Sequence, residues 1–482
     1  MGVINLDNVN FTYPNAENCA LTGINLSVLE GEFLAVMGEN GAGKTTFCKL
    51  LNGIIPHLCG GHLSGTVTVD GVDTVKSSIP RLALKVGMTF DDPDAQLFTS
   101  SVRYEAAFGA QNFLLQPEEI EKRVSFALGA VGLSGFEDRA PSTLSGGEKQ
   151  RLAIAAVLAM KGKVLVLDEP LCRLDDGGAR EVMSVLSELR KNEKITIIMA
   201  MRESAKAAEF ADRVCILKNG KIAAIDTAKN IFSDKALLEK NGIWPVTGNF
   251  RNFLPQKVSY DNPVIDIKNL SFSYSNASGI KNINLSIAEN DFIAITGDNG
   301  CGKTTLLKCI TGLLRPREGD IFIRGRNTKK LSVSDISKEA GFVMQNPDTQ
   351  LFTDSVYNEA AFALKNMRLS KTEIKRRVKT ALETVGFNDA DAFPPALNRQ
   401  DRIKTLIACV LAMGCKIIIF DEVDVGNDYR GSLKIMNIAR DLHSRGFTII
   451  FITHNMVLSG EYAHRLIKME KDGIVFDGRR ED

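Results

Sequence analysis

Two tandem α/β domains, each built on a mostly parallel core sheet, are predicted by three observations. First, the chain is written twice. Gly38-Glu-Asn-Gly-Ala-Gly-Lys-Thr-Thr46 returns as Gly297-Asp-Asn-Gly-Cys-Gly-Lys-Thr-Thr305. Phe11-Thr-Tyr13, Asp92-Pro-Asp-Ala-Gln-Leu-Phe98 and Val166-Leu-Asp-Glu169 return in the same order as Phe272-Ser-Tyr274, Asn346-Pro-Asp-Thr-Gln-Leu-Phe352 and Ile419-Phe-Asp-Glu422. A period this long exceeds that of a solenoid, so each copy folds around its own core. Second, the apolar runs 33–37, 164–167 and 195–199, with 292–296, 417–420 and 448–452 in the second copy, have strand length and no polar alternation. That is the pattern of strands covered on both faces. Third, helical patterns separate these runs, as crossovers between parallel strands require.

Length alone, 482 residues, suggests about three domains. The duplication reduces this to two, 1–232 and 263–482, with a linker at 233–262 where Trp244-Pro245, Gly248, Pro255 and Asn262-Pro263 break any period. A composition of 44% apolar and 24% charged residues excludes disordered and fibrous classes. With 59 basic against 58 acidic side chains the formal charge is +1, so no strong field recruits a polyanion, and duplex DNA is not expected as a main partner. Apolar runs such as 152–160 fall well short of the roughly 20 residues that cross a bilayer, so any membrane partner is expected to be a separate chain. The start, Met1-Gly-Val-Ile-Asn-Leu-Asp7, lacks the pattern of a secretory leader. The nine cysteines form no Cys-x-x-Cys pair and the five histidines show no metal-ligand spacing, so a cytosolic chain with structural thiols is expected.

The repeated glycine motifs carry the first chemistry. In each copy a β-branched strand runs into Gly-x-x-x-x-Gly-Lys-Thr and then a helix, the context in which backbone amides and a helix amino terminus surround phosphates. Gly38, Asn40, Gly41, Gly43, Lys44, Thr45 and Thr46 form one nucleotide-binding loop, and Gly297, Asn299, Gly300, Gly302, Lys303, Thr304 and Thr305 the other. Lys44 and Lys303 are expected against β- and γ-phosphate oxygens, and Thr45 and Thr304 on Mg²⁺.

Asp168-Glu169 and Asp421-Glu422 end apolar strands, at the edge of a parallel sheet where ligands lie. The aspartates suit Mg²⁺, and a glutamate facing the γ-phosphate can orient or deprotonate water; taken without the phosphate loops, the same pair is an ordinary solvated turn. Leu144-Ser-Gly-Gly-Glu-Lys-Gln-Arg151 places Ser145, Gly146 and Gly147 at a helix amino terminus. This is either an anion-attracting end or simply a capping box of Ser145 with Glu148.

With these residues in view, the chain resembles the ATP-binding-cassette ATPases over essentially its whole length, as two nucleotide-binding domains fused head to tail. The resemblance implies two P-loop NTPase domains, each adding an antiparallel β portion and a helical signature subdomain to its core sheet, and it identifies Leu-Ser-Gly-Gly-Glu as the signature. It implies that the two halves close on each other and that each ATP lies between one half's phosphate loop and the other half's signature, with Mg²⁺. The family's γ-phosphate-sensing glutamine, also near the metal, falls on Gln345 in copy two and on Asp91 in copy one. Its strand-end histidine falls on His454 and on Arg202 respectively. Copy one keeps Ser145-Gly-Gly, whereas copy two has Asn398-Arg399-Gln400.

Cross-pairing then gives one site of the family's type, from Lys303, Thr304, Gln345, Asp421, Glu422 and His454 with Ser145, Gly146, Gly147 and Asp175. The other, from Lys44, Thr45, Asp91, Asp168, Glu169 and Arg202 with Asn398, Arg399 and Gln400, departs at three elements. It is expected to bind nucleotide and turn over poorly, since losing one transition-state donor costs on the order of 10²–10³ in rate. Arg202 or Arg399 replacing a lost phosphate contact is the opposing reading.

Tyr13 and Tyr274 match positions where the family stacks an aromatic on adenine; buried strand aromatics are the alternative. Pro-Asp-x-Gln-Leu-Phe is similar to segments of energy-coupling-factor and cobalt-type importers. Its Gln-Leu-Phe residues, 96–98 and 350–352, suit either docking of a membrane subunit's coupling helices or core packing. The expected activity is therefore that of the ATP-hydrolysing subunit of an importer for a vitamin, vitamin precursor or metal ion. Such a subunit is peripheral at the cytoplasmic face of the membrane, with transmembrane subunits, and in some cases a substrate-binding membrane subunit, as partners. The alternatives are a soluble paired-cassette ATPase acting on ribosomes or nucleic acid, whose long charged arm or metal module is not seen here, and the ATPase of a sugar importer.

Overall fold

The computed structural model describes residues 2–172, 174, 176–246, 253–255, 260, 262–274, 279–471 and 473–480. The chain forms two compact units, Met1–Val246 and Thr247–Asp482.

In the first unit, strands Phe33–Met37, Thr196–Ala200, Val164–Asp168, Val86–Thr89 and Arg213–Lys218 form a parallel sheet, which Lys221–Thr227 extends antiparallel. The expected strands appear within one residue of their predicted bounds. Their continuous apolar character follows from two-sided burial. Phe33, Ala35 and Met37 alternate with Leu34 and Val36, and the two sets enter different cores. The first set packs with Leu152, Leu158 and Val182 of the covering helices. The second packs with Ile4, Phe11 and Leu21 of an antiparallel sheet made of Ile4–Thr12, Leu21–Val28, His62–Val69 and Val72–Asp73.

The second unit repeats the plan. Ala340–Val343, Ile417–Asp421, Thr448–Ile452, Phe292–Gly297 and Arg465–Glu470 are parallel, and Gly473–Arg480 and Phe253–Pro255 add antiparallel strands. Ile265–Ser273, Gly279–Ile287, Glu318–Ile323 and Arg326–Asn327 form the antiparallel sheet beside it.

Two domains are thus present where length alone suggested three. Among the described residues of the expected linker at 233–262, two segments are regular structure. Helix Lys235–Lys240 buries Leu238, which with Ile243 joins the first core, while Phe253–Pro255 pairs with the last strand of the second unit. Gly248 lies outside the described residues. All nine cysteines are free thiols, five of them buried.

Candidate active site

Each phosphate loop leaves the centre of its parallel sheet through glycines that no other residue could replace. Gly38 and Gly297 have φ of 150° and 146°, and a Cβ there would fall 2.2 Å from Leu217 O and 2.1 Å from Met469 O. Gly43 and Gly302 precede helices Lys44–Leu51 and Lys303–Ile310 in left-handed conformation, without a side-chain cap and without an acidic residue in the first turn. The positive helix end is therefore left for an external anion. Lys44 Nζ donates to the carbonyls of Gly38 (2.9 Å) and Glu39 (3.2 Å), and Lys303 Nζ to those of Gly297 (2.8 Å) and Asp298 (2.9 Å). Both lysines are buried, and burial holds Lys44 below its ordinary value.

Asp168 and Asp421 close their strands beside these helices, where burial pushes each carboxyl up to about 6. Thr304 Oγ1 donates to Asp421 Oδ1 at 3.1 Å. Thr45 offsets part of the shift at Asp168 without reaching hydrogen-bond geometry, and both Asp168 oxygens are buried with no protein partner among the described residues. One hydroxyl and one orphaned carboxylate suit a hard, oxygen-seeking divalent cation that takes its remaining ligands from phosphates and water. Among the described residues no cluster of three or more acidic, histidine or cysteine side chains competes for such an ion.

Glu169 and Glu422 follow at φ 48° and 47°, a left-handed step rare for a residue with a Cβ, and each amide is fixed by the neighbouring strand's Ala200 O or Ile452 O. What surrounds the two carboxylates differs. Glu422 receives Gln345 Nε2 at 2.8 Å and meets His454 Nε2 at 3.1 Å. Burial would raise its pKa, and the His454 contact overrides that and holds it below the ordinary range. Glu169 is paired instead with Arg202 Nη2 at 2.6 Å and lies 3.6 Å from Lys44 Nζ. Burial would weaken the Arg202 guanidinium, yet Glu169 keeps it above its ordinary value. Arg202 and His454 each lie two residues beyond equivalent strands, as do Asp91 and Gln345.

The helix Gly146–Leu158 does begin with the Ser145–Glu148 capping box, the Ser145 amide donating to Glu148 Oε2 at 2.7 Å. Packing within its own unit does not require Gly146, because a Cβ there would meet nothing within 4 Å, whereas one on Gly147 would fall 3.2 Å from Leu174 Cδ2. In the second unit Asn398 caps helix Arg399–Met413, Arg399 Nη2 turns back to Gln345 O at 2.6 Å, and Gln400 lies against Gly431. Asp175 lies outside the described residues.

Tyr13 is half-buried, its ring edge-on to Phe11 and its hydroxyl 3.1 Å from Thr46 Oγ1; Tyr274 is 40% exposed. Phe11, rather than either tyrosine, fills the core. The Gln-Leu-Phe segments divide between the two readings. Gln96 and Gln350 accept from the amides of Phe90 and Met344, and Leu351 is buried. Phe98 and Phe352 stand 66% and 65% exposed, each edge-on to a second exposed ring, Phe108 or Phe362.

Sequence reasoning missed the groups that hold these parts. Glu105 accepts from the Phe98 and Thr99 amides, and Glu359 from those of Phe352 and Thr353. Lys149 pairs with Asp94 at 2.6 Å and Arg402 with Asp348, tying both signature helices to both Pro-Asp segments. A cation at the same place in two otherwise different signatures was the available signal. Asp424, pushed up to about 6 by burial, accepts from Thr453 beside His454.

Duplicated phosphate loops, each with a strand-end carboxylate pair and a capped signature-type helix in its own unit, define a paired P-loop ATPase. The profile of the family described as ABC transporter matches residues 7–172 and 280–424. A protein of Caldanaerobacter subterraneus named as an ABC transporter ATP-binding protein is 37% identical over 507 residues, spanning 96% of this chain and 89% of that one. One from Methanosarcina mazei with the same name is 37% identical over 98% of this chain and 95% of its own length. The solved structure of cbiO1 from Clostridium perfringens, titled as part of the ABC transporter complex cbiONQ, is 36% identical with TM-score 0.45, covering 50% of this chain and 94% of that one. The chain belongs to the ABC transporter family as an ATP-binding protein with two cassettes, and it is an ATPase that binds ATP with Mg²⁺. Among the described residues no helix is long and apolar enough to cross a membrane.

Proposed function

We propose that this chain energises an importer for a vitamin, vitamin precursor or metal ion, with its two halves closing on each other at the cytoplasmic face of the membrane. Closure would form one competent and one degenerate ATP site. The observation that carries this reading is the division of parts. The Gln345–Glu422–His454 constellation lies in the unit whose signature has lost its glycines, while the open glycine at 146 lies in the unit whose glutamate is held by Arg202.

In the competent site Lys303 and the loop amides would hold the phosphates, and Thr304 and Asp421 would hold Mg²⁺, which would supply neutralisation of phosphate charge. Glu422, kept ionised at neutral pH, orients and deprotonates the attacking water, with Gln345 and His454 fixing its direction. On closure Ser145, Gly146 and Gly147 would approach the γ-phosphate from the other half. Tyr13 and Tyr274 flank the adenines. At the degenerate site Lys44, Thr45 and Asp168 still hold nucleotide and metal, while Glu169 is engaged by Arg202. Asp91 offers a carboxylate in place of the glutamine amide, and Arg399 and Gln400 put side chains where the first copy has glycines.

The importer class rests on the Pro-Asp-x-Gln-Leu-Phe segments and their exposed Phe98–Phe108 and Phe352–Phe362 pairs, apolar surfaces suited to short helices of transmembrane subunits. Copurification from solubilised membranes tests it. The wild-type chain should bring down integral membrane subunits that support ATP-dependent uptake of a labelled micronutrient in vesicles. A Phe98→Glu, Phe352→Glu variant should lose those subunits while keeping ATP affinity. Recovery of ribosomes or RNA in their place would overturn the proposal.

A further inference from the structure

We propose that Arg399 is a positioning residue for the Glu422 centre of its own domain, and that the altered signature of the second copy has become a brace on the Gln345 loop. This rests on the reading of Glu422 as the carboxylate that activates water. Arg399 is the first residue of its helix, standing where the first copy has Gly146. Its guanidinium donates to the Gln345 carbonyl at 2.6 Å, while the Gln345 side chain donates to Glu422 at 2.8 Å and Glu422 meets His454 at 3.1 Å. Gln345 is therefore gripped by its backbone on one side and aims its amide at the carboxylate on the other.

The surroundings are built for this contact. Arg402, in the same helical turn, pairs with Asp348 and donates to the carbonyls of Leu397 and Pro395, fixing the turn that carries Arg399. Gly426, at φ 79°, leaves room: a Cβ there would fall 3.1 Å from Arg399 Nε. Counting from the strand-end Asp-Glu pairs, the first copy has Arg173 at the place of Gly426, so arginine and glycine have exchanged positions between the copies. In the first copy, among the described residues, the Asp91 carbonyl accepts from Cys172 Sγ at 3.8 Å, a weak donor. A charge-assisted bond to the Gln345 carbonyl is the stronger constraint.

Steady-state ATPase assays of the full chain test the brace. Arg399→Met keeps the aliphatic stem and removes the donor, Arg399→Gly restores the family's glycine, and Arg399→Lys retains a donor. Both Met and Gly variants should lower kcat by roughly five- to twentyfold, the range for losing one charged hydrogen bond that orients a reacting group, with KM for ATP within about twofold of wild type. The Lys variant should fall between. A merely structural role would instead shift the thermal midpoint and both kinetic constants together. In a Glu422→Gln background the Met and Gly variants should cause no further loss. Unchanged kcat in Arg399→Met would overturn the proposal. So would a rise in turnover in Arg399→Gly, in either background, because Arg399 would then be an obstruction at the degenerate site. If Glu422→Gln alone left turnover intact, the reading beneath the proposal would fall first, and the proposal with it.

Discussion

Glu422→Gln and Glu169→Gln should have opposite signatures, because two glutamates on the same backbone step have different neighbours. Glu422 sits between a histidine and an amide, with its pKa held down, so it is ionised and able to accept a proton. Glutamine there can keep hydrogen bonds to both neighbours and loses only the basic oxygen. Turnover should fall by roughly 10²–10⁴-fold, the range for a positioned general base, with little change in stability. Glu169 lies between Arg202 at 2.6 Å and Lys44 at 3.6 Å. At an effective dielectric of about 20, the attractions amount to about 6 and 5 kcal/mol before desolvation. Desolvation cancels much of this, leaving about 1–3 kcal/mol as the cost of removing the charge from beside a buried lysine. Glu169→Gln should therefore lower the unfolding temperature of the first unit by roughly 2–10 °C and leave turnover within about threefold. Phosphate-release assays and differential scanning calorimetry on the purified chain provide both measurements. Equal losses of turnover in the two variants, or an unfolding temperature unmoved by Glu169→Gln, would refute this account.

Two further outcomes are expected. Ser145→Arg should abolish turnover, whereas Asn398→Ala, which removes a helix cap worth about 1 kcal/mol, should leave most of it; greater damage from Asn398→Ala in a phosphate-release assay would show that the halves are paired wrongly. Asp168 and Asp421 titrate near 6 in the fold against an ordinary value of 3.8. Their contribution to metal-free stability is thus full below about pH 4 and is lost as pH rises through about 6. Mg²⁺ favours the ionised forms, so stabilisation by Mg²⁺ with nucleotide should grow over that same window and flatten in Asp421→Asn. A pH-independent Mg²⁺ effect in denaturant titrations would contradict the assignment.

The strands and phosphate loops were legible because their determinants are local. Two-sided burial writes itself as an unbroken apolar run, and a left-handed loop as glycines at fixed spacing. The asymmetry at positions 91, 202, 345 and 454 was legible because the copies could be compared with each other. The side-chain partnerships were not. Arg202 pairing with Glu169, and Arg399 reaching the Gln345 carbonyl, depend on which long side chain reaches which acceptor across the fold. The Gln-Leu-Phe segments show the same boundary: spacing identified them, but only three dimensions assigned glutamine to anchoring, leucine to the core and phenylalanine to the surface.

The left-handed step shared by Glu169 and Glu422 has one more consequence. A residue with a Cβ in that conformation costs on the order of 1 kcal/mol, and the chain bears this cost at both places. Divergence after duplication has thus rewritten the occupants of the first centre while sparing its peptide geometry. Glutamine at 91 and histidine at 202 would meet a backbone already shaped to receive them, with the position of Arg399 still held by Gly146.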